Sequence, residues 1–261
     1  METRRLLLLS DLHVGSVWGI FPKNFKTSGG NIISLNKLQE ELLTYWNDLQ
    51  KRVGQYDTVV LLGDLVQGLN KKENGKHLVV SDLNEQKQAV ITLLKPFCKN
   101  KSVVGIRGSA YHTSADYEID KEIIQHFNGS FGGAVANYTI GDTGKTINIR
   151  HGKGALTYYP GTKMDKEIKE LLIGERLGKL PNIDCVVLGH YHTMAHYNIN
   201  EKLFVLNGCW EGPRYNLYTS GNFFKYQPDI GATKLIVTED YIKVKPYTYK
   251  LKSVLENITT I

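Results

Sequence analysis

The chain has 261 residues, of which 41% are hydrophobic and 22% charged, and its net charge is +6. A chain of this size can bury roughly 75% of its unfolded surface, which excludes both a disulfide-dependent miniprotein and a disordered segment. No run approaches the ~20 apolar residues of a membrane span, and so modest a positive charge is compatible with a polyanionic partner without demanding one.

The opening "METRRLLLLSD" imitates a signal peptide, but its apolar run is short and stops at Ser10 and Asp11, so it reads as a first buried strand. Residues 31–53 follow as an amphipathic helix with Ile33, Leu38, Leu42, Tyr45, Trp46 and Leu49 on one face. "DTVVLLGD" is the next strand, and 81–99 the next helix, opening on Ser81 as N-cap and kinked or ended by Pro96. "SVVGIRG" is a third strand, before a short helix near 114–127. "VANYTIGDTGKTINIRHG" reads as a hairpin, "MDKEIKELLIGERLG" as a helix and "NIDCVVLGH" as another buried strand, and the remaining strands read as antiparallel.

Near-continuous apolar strands separated by helices imply sheets covered on both faces. The expected plan is one mixed α/β domain over 1–261 with two packed sheets, carrying long inserts near 14–30, 68–80 and 209–232. The second insert has neither the spacing nor the hydroxyl residue of a phosphate-binding loop. Cys98, Cys185 and Cys209 are odd in number and widely spaced, which suggests reduced thiols and a cytoplasmic protein.

Strand after strand ends in Asp or His: Asp11 and His13, Asp64, His151, then His190 and His192. In extended backbone, side chains at i and i+2 point the same way, so each Asp-x-His or His-x-His pair is expected to converge. Gly63, Gly108 and Gly189 remove bulk where the chain turns away. An isolated Asp-x-His is more often a turn and a cap than a ligand pair. Repetition at strand end after strand end instead suits a dinuclear transition-metal centre.

These blocks resemble the calcineurin-like metallophosphoesterases. "SDLH" (10–13), "LLGD" (61–64), "RHG" (150–152) and "LGHYH" (188–192) match four of that family's ordered motifs, and "LNGCWEGPR" (206–214) is similar to its trailing Gly-rich segment. The resemblance implies a four-layer α/β/β/α sandwich and two divalent transition ions, Mn, Fe or Zn. It implies Asp11, His13 and His192 on one ion, His151 and His190 on the other, and Asp64 bridging two ions roughly 3.5–4 Å apart. The implied reaction is attack by a metal-bound hydroxide on a phosphoester.

The third block, "RGSAYH" (107–112), departs from Gly-Asn-His. Ser109 stands where asparagine would bind the second metal, and His112 comes two residues late. Three readings follow. His112 is a displaced leaving-group acid oriented by Asp116 or Glu118, or it replaces asparagine as a ligand, or the block is degenerate and the protein a weak or inactive binder. The first best matches the need to protonate an alkoxide.

Within this class, "VWGIFPKNFK" (17–26) places Trp18, Phe21 and Phe25 beside Lys23 and Lys26, as a surface for bases and phosphates would require. An apolar lid or a dimer contact would use the same residues. Trp18, Lys23 and Arg214 are the substrate-binding candidates, and the expected substrate is a phosphodiester of a nucleotide or nucleic acid. A phosphomonoesterase, a small cyclic-nucleotide diesterase and a binding scaffold are the alternatives. No membrane partner is expected, and the oligomeric state is open.

Overall fold

The structure, a computed structural model, describes residues 2–69, 74–112, 118–154, 160–214 and 227–252, with the backbone alone for 160–163. The strands are β1 (Arg4–Leu9), β2 (Thr58–Leu61), β3 (Ser102–Gly105), β4 (Ser130–Phe131), β5 (Val135–Thr139), β6 (Thr146–Arg150), β7 (Cys185–Leu188), β8 (Ala195–Ile199), β9 (Lys202–Leu206), β10 (Ile230–Val237) and β11 (Ile242–Tyr249). The helices are α1 (Lys37–Arg52), α2 (Leu83–Cys98), α3 (Ile119–His126) and α4 (Pro160–Arg176). One sheet runs β11-β10-β1-β2-β3-β4 and the other β5-β6-β7-β9-β8.

The apolar run of β1 explains the layering. Leu7 and Leu9 point one way, into a core shared with Leu42 and Trp46 of α1, Val90 and Leu94 of α2 and Ile123 of α3. Leu6 and Leu8 point the other way, onto Ile147, Ile149, Val187 and Val205 of the second sheet. That sheet's outer face (Val186, Leu188, Phe204, Leu206) packs on Met164, Ile168 and Leu171 of α4. Alternation along doubly covered strands thus gives helices, sheet, sheet, helix, the four layers expected. Each fully buried leucine contributes roughly 1.5–3 kcal/mol.

β1 to β4 run parallel, and so do β6, β7 and β9, while β10, β11, β5 and β8 are antiparallel partners. The carboxyl ends of β1, β2, β3, β6 and β7 therefore deliver their following residues to one edge of the sandwich. β11 is an edge strand, with exposed Lys243 and Lys245 that discourage further pairing.

Several element boundaries differ from expectation. α1 begins at Lys37 because Asn36 and Gln39 form a reciprocal capping box, which leaves 31–36 outside the helix. Asp82, not Ser81, caps α2, its carboxylate accepting from the N–H groups of Asn84 and Glu85. Pro96 sits inside the last turn of α2 and the helix runs on to Cys98. α3 starts at Ile119, and α4 starts earlier than expected, at Pro160, a residue suited to a first helical turn. Among the described residues no helix is long and apolar enough to cross a membrane.

Candidate metal centre

The ligand-bearing strands stop short of their ligands: β1 at Leu9, β2 at Leu61, β7 at Leu188. Asp11, His13, Asp64, His190 and His192 then take left-handed backbone, with φ of 53°, 45°, 49°, 78° and 50°. Five non-glycine residues in this region, all at one edge, mark a candidate functional site, because each costs of order 1–3 kcal/mol and is kept only where its surroundings impose it. These residues are therefore not in the extended backbone expected of i, i+2 pairs. Asp11 and His13 meet through alternating left-handed turns, and His190 and His192 diverge to opposite sides of the centre.

Three overlapping groups of donor atoms result: Asp11 with His13 and His192, His13 with Asp64 and His112, and Asp64 with His151 and His190. Asp11, His13, Asp64, His112 and His151 are all buried. His13 Nδ1 faces Gln67 Oε1 at 3.1 Å, which turns His13 Nε2 to the centre, 3.1 Å from His192 Nε2. His151 Nε2 donates to Asp64 Oδ2 at 2.9 Å while its Nδ1 is 2.7 Å from the Leu62 carbonyl.

These residues fit divalent cations. Asp11 Oδ1 is buried with no hydrogen-bond partner, and imidazole Nε2 atoms of His192, His13 and His151 stand 3.4, 3.9 and 3.9 Å from it. A carboxylate oxygen aimed at three ring nitrogens, in an all-N/O donor set without thiolate, is what Mn, Fe or a catalytic Zn takes.

Two glycines bring the variant third block to the centre. A Cβ on Gly63 would collide with the backbone of Gly108, and one on Gly108 with Asp64. That close approach lets Ser109 donate its N–H to Asp64 Oδ1 at 2.7 Å and place Oγ 3.1 Å from both carboxylate oxygens. Buried Asp120 clamps the same loop, accepting from Gly108 N at 2.7 Å and Leu65 N at 3.3 Å. Burial pushes Asp120 up to about 6, against the bond from Gly108. His112 does reach the centre: Nδ1 is 2.8 Å from the Gln67 carbonyl, and Nε2 is 3.9 Å from Asp64 Oδ2. Asp116, proposed to orient it, lies outside the described residues, and Glu118 pairs instead with Arg107 and Lys121.

The substrate candidates divide. Arg214 belongs to the site, its Nε 2.9 Å from Glu211 Oε1 and its Nη2 3.3 Å from Gln67 Oε1. Trp18 is half-buried with its ring on His77 at 4.6 Å, and Lys23 is exposed. Phe21 is fully buried, a core residue that offers no face to a base, and half-buried Phe25 packs edge-on against it. The inserts 14–30 and 68–80 are joined to each other, Val17 N donating to the His77 carbonyl and Val79 N to that of Gly15. On the far side of the centre a cleft of about 570 Å³ opens beside His151 and His190, with Arg107, Arg150 and Lys153 in its walls. Gln67, Asp120 and Glu211 had no motif to mark them. The only signal for Glu211 is a lone acid inside the apolar "CWEG".

Four layers with these blocks meeting at one edge decide the architecture. The fold is a four-layer α/β/β/α sandwich of two mixed sheets. No protein-family model matches the chain, and no curated protein does. Among solved structures it is similar to an archaeal phosphodiesterase (15% identity over 93% of this chain and 99% of that one, TM-score 0.49). It is also similar to a conserved predicted phosphoesterase of Streptococcus pneumoniae TIGR4 (14%, 95% and 91%, 0.45) and to Vps29 of Entamoeba histolytica complexed with zinc (13%, 94% and 98%, 0.45).

The electrostatics give a pH-dependent expectation. Burial disfavours a charged His151, but Asp64 and Asp11 outweigh it and raise His151 to about 9. His192 is also raised, burial being outweighed by Cys209 and Asp11. Asp64 stays below the ordinary carboxylate range: burial would raise it, but His151, His112 and His13 hold it down. A raised histidine stabilises the metal-free fold fully below about 6.5, and that contribution is lost as the pH climbs through about 9. Ions must displace such protons, so metal affinity is expected to rise across that window, by about one decade per pH unit for each proton displaced. Calorimetry in buffers of different ionisation enthalpy measures both quantities. An affinity flat with pH, with no proton release, would remove the His151–Asp64 assignment.

Proposed function

We propose that the chain is a metal-dependent phosphodiesterase acting on nucleotides or nucleic acid, with Asp11, His13 and His192 around one ion, His151 and His190 around a second, and Asp64 between them. The observation that carries this reading is the buried nest of carboxylate and imidazole donors, in which Asp11 Oδ1 accepts no hydrogen bond among the described residues while three imidazoles face it. Divalent ions held there would supply Lewis acidity and lower the pKa of a bound water towards neutrality.

The chain's own residues do the rest. Gln67 and the Leu62 carbonyl fix the ring orientations of His13 and His151. His112, held at Nδ1 by a backbone carbonyl, presents Nε2 to the centre and from there delivers a proton to the departing oxygen. Lys153 in the adjoining cleft is placed to meet an anionic substrate, whereas Arg107, Arg150 and Arg214 are each paired with a carboxylate, Glu118, Glu167 and Glu211.

A binding scaffold with weak catalysis is the second reading, favoured by one observation. Ser109 spends both its N–H and its hydroxyl on Asp64, in the position where asparagine would bind a metal.

Assays with added manganese on bis-p-nitrophenyl phosphate, p-nitrophenyl phosphate and DNA separate the readings. The diester is expected to turn over at least about tenfold faster than the monoester in kcat/KM, and the reverse order would point to a phosphomonoesterase. No turnover with ions bound would favour the scaffold.

Polymer binding has its own signature. Lys23, Lys26 and Lys76 are exposed on the joined inserts, and Lys71 and Lys72 of the same insert lie outside the described residues. Three to five phosphate contacts give a slope of log affinity against log salt of roughly −2 to −3.5 for single strands. Small-diester hydrolysis should stay nearly flat with salt. Undetectable polymer binding at low salt would leave a small-molecule diesterase.

A further inference from the structure

We infer that Glu211 is an additional oxygen donor to the metal position of Asp11, His13 and His192, making it the tighter of the two positions. The inference rests on the reading of this nest as a metal centre. Glu211 is 1% exposed, and its two oxygens have different surroundings. Oε1 accepts from Arg214 Nε at 2.9 Å and from Ser16 Oγ at 3.4 Å. Oε2 faces inward, 3.8 Å from His13 Nε2 and 3.7 Å from His192 Nδ1.

His13 has its Nδ1–H directed at Gln67, so its Nε2 lone pair points towards Glu211 Oε2 and towards the partnerless Asp11 Oδ1. Buried lone pairs gathered around one point repel one another unless a proton or a metal cation lies among them. Asp11 Oδ1 is thus the second, independent sign of an ion at this position.

The backbone builds Glu211 into place. Trp210, fully buried against Trp46, donates its N–H to the Asp11 carbonyl at 3.0 Å and accepts from Ile20 N at 2.9 Å. Gly212 N donates to the Trp18 carbonyl, which completes a bridge between Gly19 and Glu211. A Cβ on Gly19 would collide with the His13 carbonyl, so the insert passes here only as glycine. The 14–30 insert therefore has a structural use that its composition did not announce: it pins Glu211 beside His13 and His192.

The other position is poorer. It has Asp64, His151 and His190, but His190 Nε2 is engaged by the Gly154 carbonyl at 3.0 Å, and the Ser109 hydroxyl is turned onto Asp64. Two carboxylates and two imidazoles on one side face two imidazoles and the shared Asp64 on the other. Arg214 offsets part of the charge of Glu211 without removing its oxygen.

Manganese titration of the purified chain, followed by calorimetry and electron paramagnetic resonance, tests this. Wild type is expected to take two ions in steps at least about tenfold apart. Removing even an outer partner of a metal ligand typically costs 10–100-fold, so Glu211→Gln should weaken the tighter step by about 100-fold or more and leave the weaker step in place. A smaller loss, or an equal loss in both steps, overturns the inference. A wild type that binds no manganese overturns the metal centre itself, a result distinct from Glu211→Gln behaving as wild type. If the variant does not fold, anomalous diffraction from manganese-loaded wild-type crystals decides: Glu211 Oε2 among the ion's ligands supports the inference, and a water in its place overturns it.

Discussion

Asp64→Asn is expected to lower bound metal from about two ions per chain towards one or none and to cut diester turnover by at least about 10³-fold, since each 1.4 kcal/mol of lost stabilisation is a decade in rate. The reason lies in the position of this carboxylate. Asp64 belongs to both the His13–His112 and the His151–His190 donor groups, is 2% exposed, and is held by the N–H and hydroxyl of Ser109 and by His151, with His112 nearby. Asparagine keeps the shape and removes the charge that offsets two cations. In the metal-free protein the same change leaves His151 without its nearest counter-charge, so His151 should titrate closer to an ordinary histidine. Metal analysis by mass spectrometry and the His151 titration by NMR read the two effects separately. Two ions retained at full rate would show that Asp64 does not bridge.

Much of this site was legible in the sequence because it is written in short local blocks. An apolar run followed within a few residues by Asp or His needs no distant information to be read, and β1, β2, β6 and β7 are each followed by one. Their layer assignment was equally local, since the alternation of Leu6 and Leu8 against Leu7 and Leu9 requires two covered faces. What escaped depends on long-range closure. Phe21 and Phe25 look like a surface platform in sequence, but Ile20 pairs with Trp210, 190 positions away, and the insert folds into the core. Glu211 acquires its meaning only when that pairing sets it beside His13. Asp120 looks like an ordinary first-turn helix acid until Gly108 and Leu65 are seen bonded to it. The left-handed backbone of the ligand residues was not legible either, because Asp and His, though enriched in that conformation, adopt it far less readily than glycine.

His112→Ala is expected to keep both ions and to slow diesters with poor leaving groups by about 10²–10⁴-fold, while activated nitrophenyl esters lose far less. The geometry supports a proton donor. Nδ1 is committed to the Gln67 carbonyl at 2.8 Å, so Nε2 is the ring nitrogen available to the centre, 3.9 Å from Asp64 Oδ2. The two-residue delay of this histidine after Gly108 is absorbed by a turn in which His112 N donates to the Ser109 carbonyl. Gly68, whose Cβ would collide with the His112 carbonyl, lets the neighbouring insert close over it. A ligand in the same place behaves differently: its removal lowers metal affinity and slows every substrate alike, because a good leaving group does not rescue a lost ion. The measurement is therefore a comparison of leaving groups at saturating manganese, with bound metal counted on the same samples. Rates that fall more steeply with leaving-group pKa in His112→Ala than in wild type, at unchanged metal content, identify the donor. A uniform loss accompanied by loss of metal assigns His112 to the ligand set, and an effect below about threefold on every ester places it outside the chemistry.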